Sequence, residues 1–516
     1  MKRPLIVLIA LAAVAAVVAG VLLVVRDGDG ASDDSPAAQA IQPTGEQAPD
    51  GLQRFYDQKL TWKGCGGDSE CATITVPIDY DEPDGATTTL KAARYLSTGD
   101  GTRVLFVNPG GPGGSAIDFA ASLAGSMAPT VRDAFTIVGI DPRGVGESSP
   151  LECLPDAQFD AYAASDPDPS TSAEVRELRA GVRKLGEACA KNSGELAGHV
   201  STEEAARDMD VARAAMGQQK LDWFGASYGT QLGATYATLF PQKVGAMVLD
   251  GAVDPAQDVF GSAFGQATGF QRALDAYLDA CAKLESCPLG QDPNAANRAL
   301  ATFMSRLEDQ PLPTGTDREL TKGRAFYGVA VTLYDKAAWP VLSQALTAAL
   351  RGDGSLLLRL NDLYFSRQSD GSYDGNIGWA NIAVNCLDNR ERPSVAEVEA
   401  ELPRFEKVSP VFGAALGWGT LGCTDWPEPA ERPQVEIDAE GSSPIVVIGT
   451  TRDPATPYEN AKALADQLGD REGVLLTREG DGHTAYSSGN RCIVKAVDAY
   501  LVDGTVPRDG TTCPDE

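Results

Sequence analysis

The chain has 516 residues, 43% of them hydrophobic, with a formal net charge of −29 and a pI near 4.4. That length holds two to four domains, or one large domain with an insertion, and enough apolar residues for a substantial core. A surface this acidic repels phosphate backbones and sets nucleic acid aside as a partner.

At the N-terminus, Lys2 and Arg3 precede an apolar run from Leu5 to Val25. As a helix, a run of that length spans a bilayer. Its basic flank stays cytoplasmic and leaves the bulk of the chain outside. The run is longer than the roughly 7–15 apolar residues of a signal peptide. Residues 1–26 are therefore expected to be an uncleaved anchor, with a cleaved signal, cut near Ala19 or Gly20, as the alternative. Either way the protein is extracytoplasmic. Residues 27–50, rich in Asp, Ala, Gly, Pro and Gln, are read as a flexible linker. Ten cysteines in an exported chain imply disulfides. Connectivity stays open; the simplest scheme joins neighbours, 65–71, 153–189, 281–287, 386–423 and 492–513. A metal site is disfavoured, because there is no Cys-x-x-Cys and there are only two histidines.

From residue 51 the pattern is globular. RVLFVNPGG, AFTIVGIDPRG, LDWFGAS, GAMVLDG and SPIVVIGTTRDP each run from short apolar, β-branched segments into turns. Such runs, alternating with helical stretches, predict a mostly parallel α/β sheet with helices on both faces. Ser201 to Glu204 (STEE) predicts a capping box opening a helix that leads into the LDWFGAS strand. The alternation stops after Asp254-Pro255 and resumes near Pro444. Residues 51–254 and 431–516 are read as the two parts of a core, and 255–430 as an inserted, mostly helical cap.

The stretch WFGASYGTQ sets Ser227 between Gly225 and Gly229, where a strand should turn sharply into a helix. Small flanking residues let strand and helix approach while the serine backbone is strained and its hydroxyl exposed. A nucleophilic serine needs a base. His483, in the glycine-rich loop GDGHT after a strand-like run, is the candidate; His199 is read as a surface or packing residue. Asp453, after PIVVIG, is the orienting acid, giving the chain order Ser227, Asp453, His483. Asp250 is the rival acid, and Asp481 is read as shaping the histidine loop. The oxyanion donors are the backbone N–H groups of Tyr228 and of Gly111 in NPGGPGGS, with Gly110 as the alternative. A phosphate-binding reading of that glycine loop fails because no Lys-Ser/Thr pair follows it. The mechanism calls for no metal and no cofactor.

NPGGPGGS, DPRGVGESSP, GASYGT, the Asp453 segment and GDGHT together resemble the α/β-hydrolase peptidases of the prolyl aminopeptidase group. Within that group the chain is most similar, from about residue 60 onward, to secreted tripeptidyl aminopeptidases of actinobacteria with their characteristic C-terminal region. In prolyl aminopeptidases the oxyanion loop begins His-Gly-Gly-Pro-Gly; here Pro109 stands in place of that histidine, which argues against simple proline-aminopeptidase activity. The resemblance implies an extracytoplasmic serine aminopeptidase, a monomer by default, releasing short peptides, tripeptides first, from free peptide or protein N-termini. The alternatives are a serine esterase or lipase with the same triad and, further off, a non-catalytic surface binding protein. A carboxylate of the cap is the natural partner for a substrate ammonium, with Asp335, Asp374 and Asp388 as candidates. Tyr334, Trp339, Trp379 and Trp418 are available to line the pocket or to pack the cap.

Overall fold

The computed structural model describes residues 42–428 and 434–515. The expected anchor, residues 1–26, and the first part of the linker lie outside the described residues. Among the described residues no helix is long and apolar enough to cross a membrane.

One sheet organises the core. Its strands are β1 (Lys63–Gly66), β2 (Ser69–Pro77), β3 (Thr87–Tyr95), β4 (Arg103–Asn108), β5 (Phe135–Ile140), β6 (Leu221–Ala226), β7 (Val244–Asp250), β8 (Ile445–Arg452), β9 (Gly473–Asp481) and β10 (Thr511–Cys513). They lie in the order β1-β2-β3-β5-β4-β6-β7-β8-β9-β10. The first three strands pair antiparallel down to β5, and from β5 to β10 every pairing is parallel. The five apolar runs read from the sequence are β4 to β8. Every residue of β6 is buried, because helices cover both faces of the sheet there. The helix Thr202–Ala215 opens on the expected capping box of Ser201 and Glu204. It carries the chain back to β6.

Between β7 and β8 the chain leaves the sheet for a series of helices running from Val259 to Gly419. This cap has an apolar core of its own, built from Leu274, Leu300, Val329, Leu342, Leu346 and Phe412 among others. A second excursion, between β5 and β6, also belongs to it, although the sequence pattern does not mark it so. Its helices Asp156–Ala163 and Ser172–Ser193 join the cap through Arg179 and Arg183, which pair with Asp425 at 2.7 and 2.8 Å. All ten cysteines form disulfides, in the nearest-neighbour scheme.

The globule begins before residue 51. Thr44 N–H donates to the Ala214 carbonyl at 2.9 Å, and Glu46 pairs with the buried Arg213 at 2.7 Å and with Lys243 at 3.0 Å. Burial alone would raise the Glu46 carboxyl, but its bonds to the two cations outweigh that and hold it near 2. A linker-like composition concealed this strut because its partners are far away in sequence. The DPRG segment is a fastener of the same kind. Its Arg143, fully buried, binds Asp208 at 2.7 and 2.8 Å and holds the loop after β5 in place.

Candidate active site

The end of β6 turns directly into the helix Tyr228–Leu239 through Ser227, whose backbone is left-handed (φ 56°, ψ −127°). That conformation is costly for a serine and persists only where the surroundings enforce it. Here Ser227 N–H donates to the Asp250 carbonyl at 2.9 Å, and the Ser227 carbonyl accepts from Thr230 N–H at 2.8 Å. The neighbours must be glycine: a Cβ on Gly225 would stand 2.1 Å from the Gly229 carbonyl oxygen. The Tyr228 amide opens the helix, where the first N–H groups lack intrahelical acceptors.

The loop NPGGPGGS follows β4, next to β6 in the sheet. A Cβ on Gly110 would lie 2.7 Å from the Tyr228 amide nitrogen and 2.8 Å from Ser227 Cβ, so this loop reaches the elbow only as glycine. Gly110 N–H already donates to Asn108 Oδ1 at 2.9 Å. Gly111 faces the cavity above Ser227. Of the two glycines considered as oxyanion donors, Gly111 is the one that lines the cavity.

His483 sits just beyond β9, with its Nδ1 2.9 Å from both carboxylate oxygens of Asp453. Asp453, fully buried after β8, also accepts the amides of Ala455 and Thr456 at 2.9 Å. A carboxylate so placed only accepts, so Nδ1 carries the proton and Nε2 keeps its lone pair. Burial would lower the His483 pKa, but the charge and hydrogen bond of Asp453, with Asp250 behind it, outweigh this and raise it. The rival acid Asp250 has another role. It accepts the amides of Ala485 and Tyr486, each at 2.8 Å, clamping the histidine loop to the end of β7. Burial pushes its carboxyl up to about 6 against those bonds. Asp481 shapes the loop from its other side, pairing with Arg452 and with Lys336 at 3.0 Å. His199 lies in the Arg143 cluster, 2.7 Å from Glu204.

Two contacts to the histidine have no signal in the sequence. Thr456 Oγ1 lies 3.3 Å from His483 Nδ1. Tyr334, in the cap, accepts the His483 backbone N–H on its carbonyl at 2.8 Å, and its ring stands edge-on to the imidazole at 5.4 Å. The cap thus touches the base itself.

Ser227, His483 and Gly111 open into one cavity of about 520 Å³ between core and cap. Phe159, Tyr162, Phe326, Tyr327, Tyr364 and Phe365 form much of its wall, with Tyr334 and Trp418. Trp339 and Trp379 are elsewhere: the first packs in the cap core, and the second donates to the Leu151 carbonyl at 2.8 Å. Among the described residues lining the cavity there is no Asp, Glu, Lys or Arg. The candidate cap carboxylates do not line it: Asp335 and Asp374 are exposed, and Asp388 accepts Thr202 N–H at 2.8 Å. Burial pushes the Asp388 carboxyl up to about 6.

A mostly parallel sheet with a strained serine elbow and a carboxylate-held histidine defines the class: an α/β-hydrolase of the serine type. Sequence comparison agrees. The family model for TAP-like proteins matches residues 409–513. Serine protease Hip1 of Mycobacterium tuberculosis is 38% identical over 460 residues, 87% of this chain and 88% of that protein. Carboxylesterase B of the same species is 35% identical over 452 residues, 86% of each chain. The tripeptidyl aminopeptidase of Streptomyces lividans is 31% identical over 478 residues, 88% of this chain and 86% of that one. The chain belongs to the TAP-like family of α/β-hydrolases and is a serine hydrolase.

Proposed function

We propose that the chain is an extracytoplasmic serine exopeptidase that releases short peptides, tripeptides first, from the N-termini of peptides and proteins. The observation that carries this reading is the Ser227 elbow and the Asp453–His483 pair at the floor of a cavity roofed by the cap. Ser227 attacks the scissile carbonyl while His483 Nε2 takes its proton. Asp453 holds the imidazole and stabilises it once charged. The N–H groups of Tyr228 and Gly111 receive the oxyanion. His483 then protonates the leaving amine, and water repeats the sequence on the serine ester. The roof supports exo-cleavage, since the cavity beneath it holds only a short length of chain. A sphere of 520 Å³ is about 10 Å across, the reach of about three extended residues. Tripeptidyl aminopeptidases among the relatives support the same step. Five disulfides support an oxidising, extracytoplasmic setting.

A serine esterase is the second reading, favoured by the apolar cavity and by the carboxylesterase relative. The test sets the full chain beside Ser227→Ala with unlabelled peptides and acyl esters, reading products by mass. Release of N-terminal tripeptides, absent in the variant, is the expected result. Turnover of esters alone, or cuts at internal bonds, overturns the exopeptidase reading.

A further inference from the structure

An aminopeptidase ordinarily registers its substrate by pairing the terminal ammonium with a carboxylate. Among the described residues lining this cavity there is none. Its polar groups are uncharged, Asn381, Ser165 and tyrosine hydroxyls beside the catalytic pair, and its wall is aromatic. The three cap aspartates that were candidates to pair an ammonium are exposed or bonded to backbone, as described above.

We propose that the cavity selects the acyl side of its substrate by excluding charge: it takes neutral, apolar residues, and the step length follows because a terminal ammonium must lie beyond the aromatic wall. This deepens the exopeptidase reading and rests on it. A charge moved from water into such a space must be neutralised or lose much of its solvation. The ammonium of a single aminoacyl group would stand next to the aromatic wall, only a few ångströms from Ser227. That of a tripeptidyl group, about 10 Å from the scissile carbonyl, reaches the boundary of the cavity. The ruler is therefore the length of the uncharged space.

The size of each penalty follows from how easily a group sheds its charge. An α-ammonium titrates near 8, so binding its neutral form at pH 7 costs about 10-fold in kcat/KM. An aspartate or lysine side chain is about 3 pH units from neutrality at pH 7, so its penalty reaches about 1,000-fold.

The experiment uses the full-length chain and matched anilides and phenyl esters of Leu, acetyl-Leu, Leu-Leu-Leu and acetyl-Leu-Leu-Leu. Further members carry Asp or Lys next to the scissile bond. At pH 7 acetyl-Leu is expected to exceed Leu by about 10-fold, a gap that closes above pH 8, while acetylation moves the tripeptides by less than about threefold. Asp or Lys lowers kcat/KM by about 1,000-fold. A preference for free Leu over acetyl-Leu at pH 7, or Asp and Lys accepted as well as Leu, overturns the proposal. If the esters turn over and no anilide does, the peptidase reading falls, and the charge rule is still decided on the esters.

Discussion

The two walls of the active cavity are built from opposite materials. The core wall is polar and tightly bonded: Ser227, Asp453, Asp250 and the histidine loop share backbone and carboxylate hydrogen bonds of 2.8–2.9 Å. The cap wall is aromatic, and its described lining residues carry no formal charge. The difference separates chemistry from selection. Stabilising charge that develops during reaction needs dipoles held in place before the reaction starts, which strand ends and a helix start supply. Choosing what enters needs shape and desolvation, which side chains from many helices supply.

The sharpest break in this comparison is on the core side. Ser227→Ala is expected to lower kcat by about 10⁵-fold or more on any substrate while leaving the folded state intact, measured by burst kinetics and thermal melting. Asp453→Asn should lower kcat by about 10⁴-fold, because the imidazole loses its orientation and its stabilising charge. The same substitution tests the raised His483 pKa. The base works only when neutral, so activity falls as pH drops through that pKa. In the wild type the acid limb should lie above the ordinary histidine value of 6.5, and in Asp453→Asn it should move down.

Asp250→Ala probes the clamp rather than the chemistry. It leaves two buried amides without acceptors and should cost about 2–4 kcal/mol in denaturant unfolding. Asp250→Asn, which keeps one acceptor, should cost less.

On the cap side the effects are smaller and fall on binding. Ile382→Ala removes part of the apolar lining and should raise KM about 10-fold for Leu-Leu-Leu anilide with little change in kcat. Smallest of all is Asp388→Asn. Asp388 is bonded to Thr202 and does not line the cavity, so the ratio between free and acetylated substrates should move by less than about twofold. A large change there would put a cap carboxylate back in the recognition of the amine.

Much of the core was legible because its signals are local. A strand buried on both faces must be a continuous apolar run, and β4 to β8 are such runs. The glycines around Ser227 and in the Asn108–Ser115 loop mark backbone approaches that a Cβ would block. The Ser201–Glu204 capping box is a four-residue pattern. The cap was legible only as a loss of alternation. Its helices and those of the 156–193 excursion meet through contacts between distant residues, such as Arg179 with Asp425. Glu46 reads as linker for the same reason.

The strand–turn–helix site, the identity and order of the candidate triad, and the fold class were all written in the sequence, because each rests on spacing along the chain. Tertiary structure alone set Gly111 in the cavity lining, gave Asp250 a clamp's role, brought Tyr334 onto His483 and left the described cavity wall without carboxylates. Those outcomes depend on which side chains face a shared space, and that facing is set by packing between elements up to several hundred residues apart.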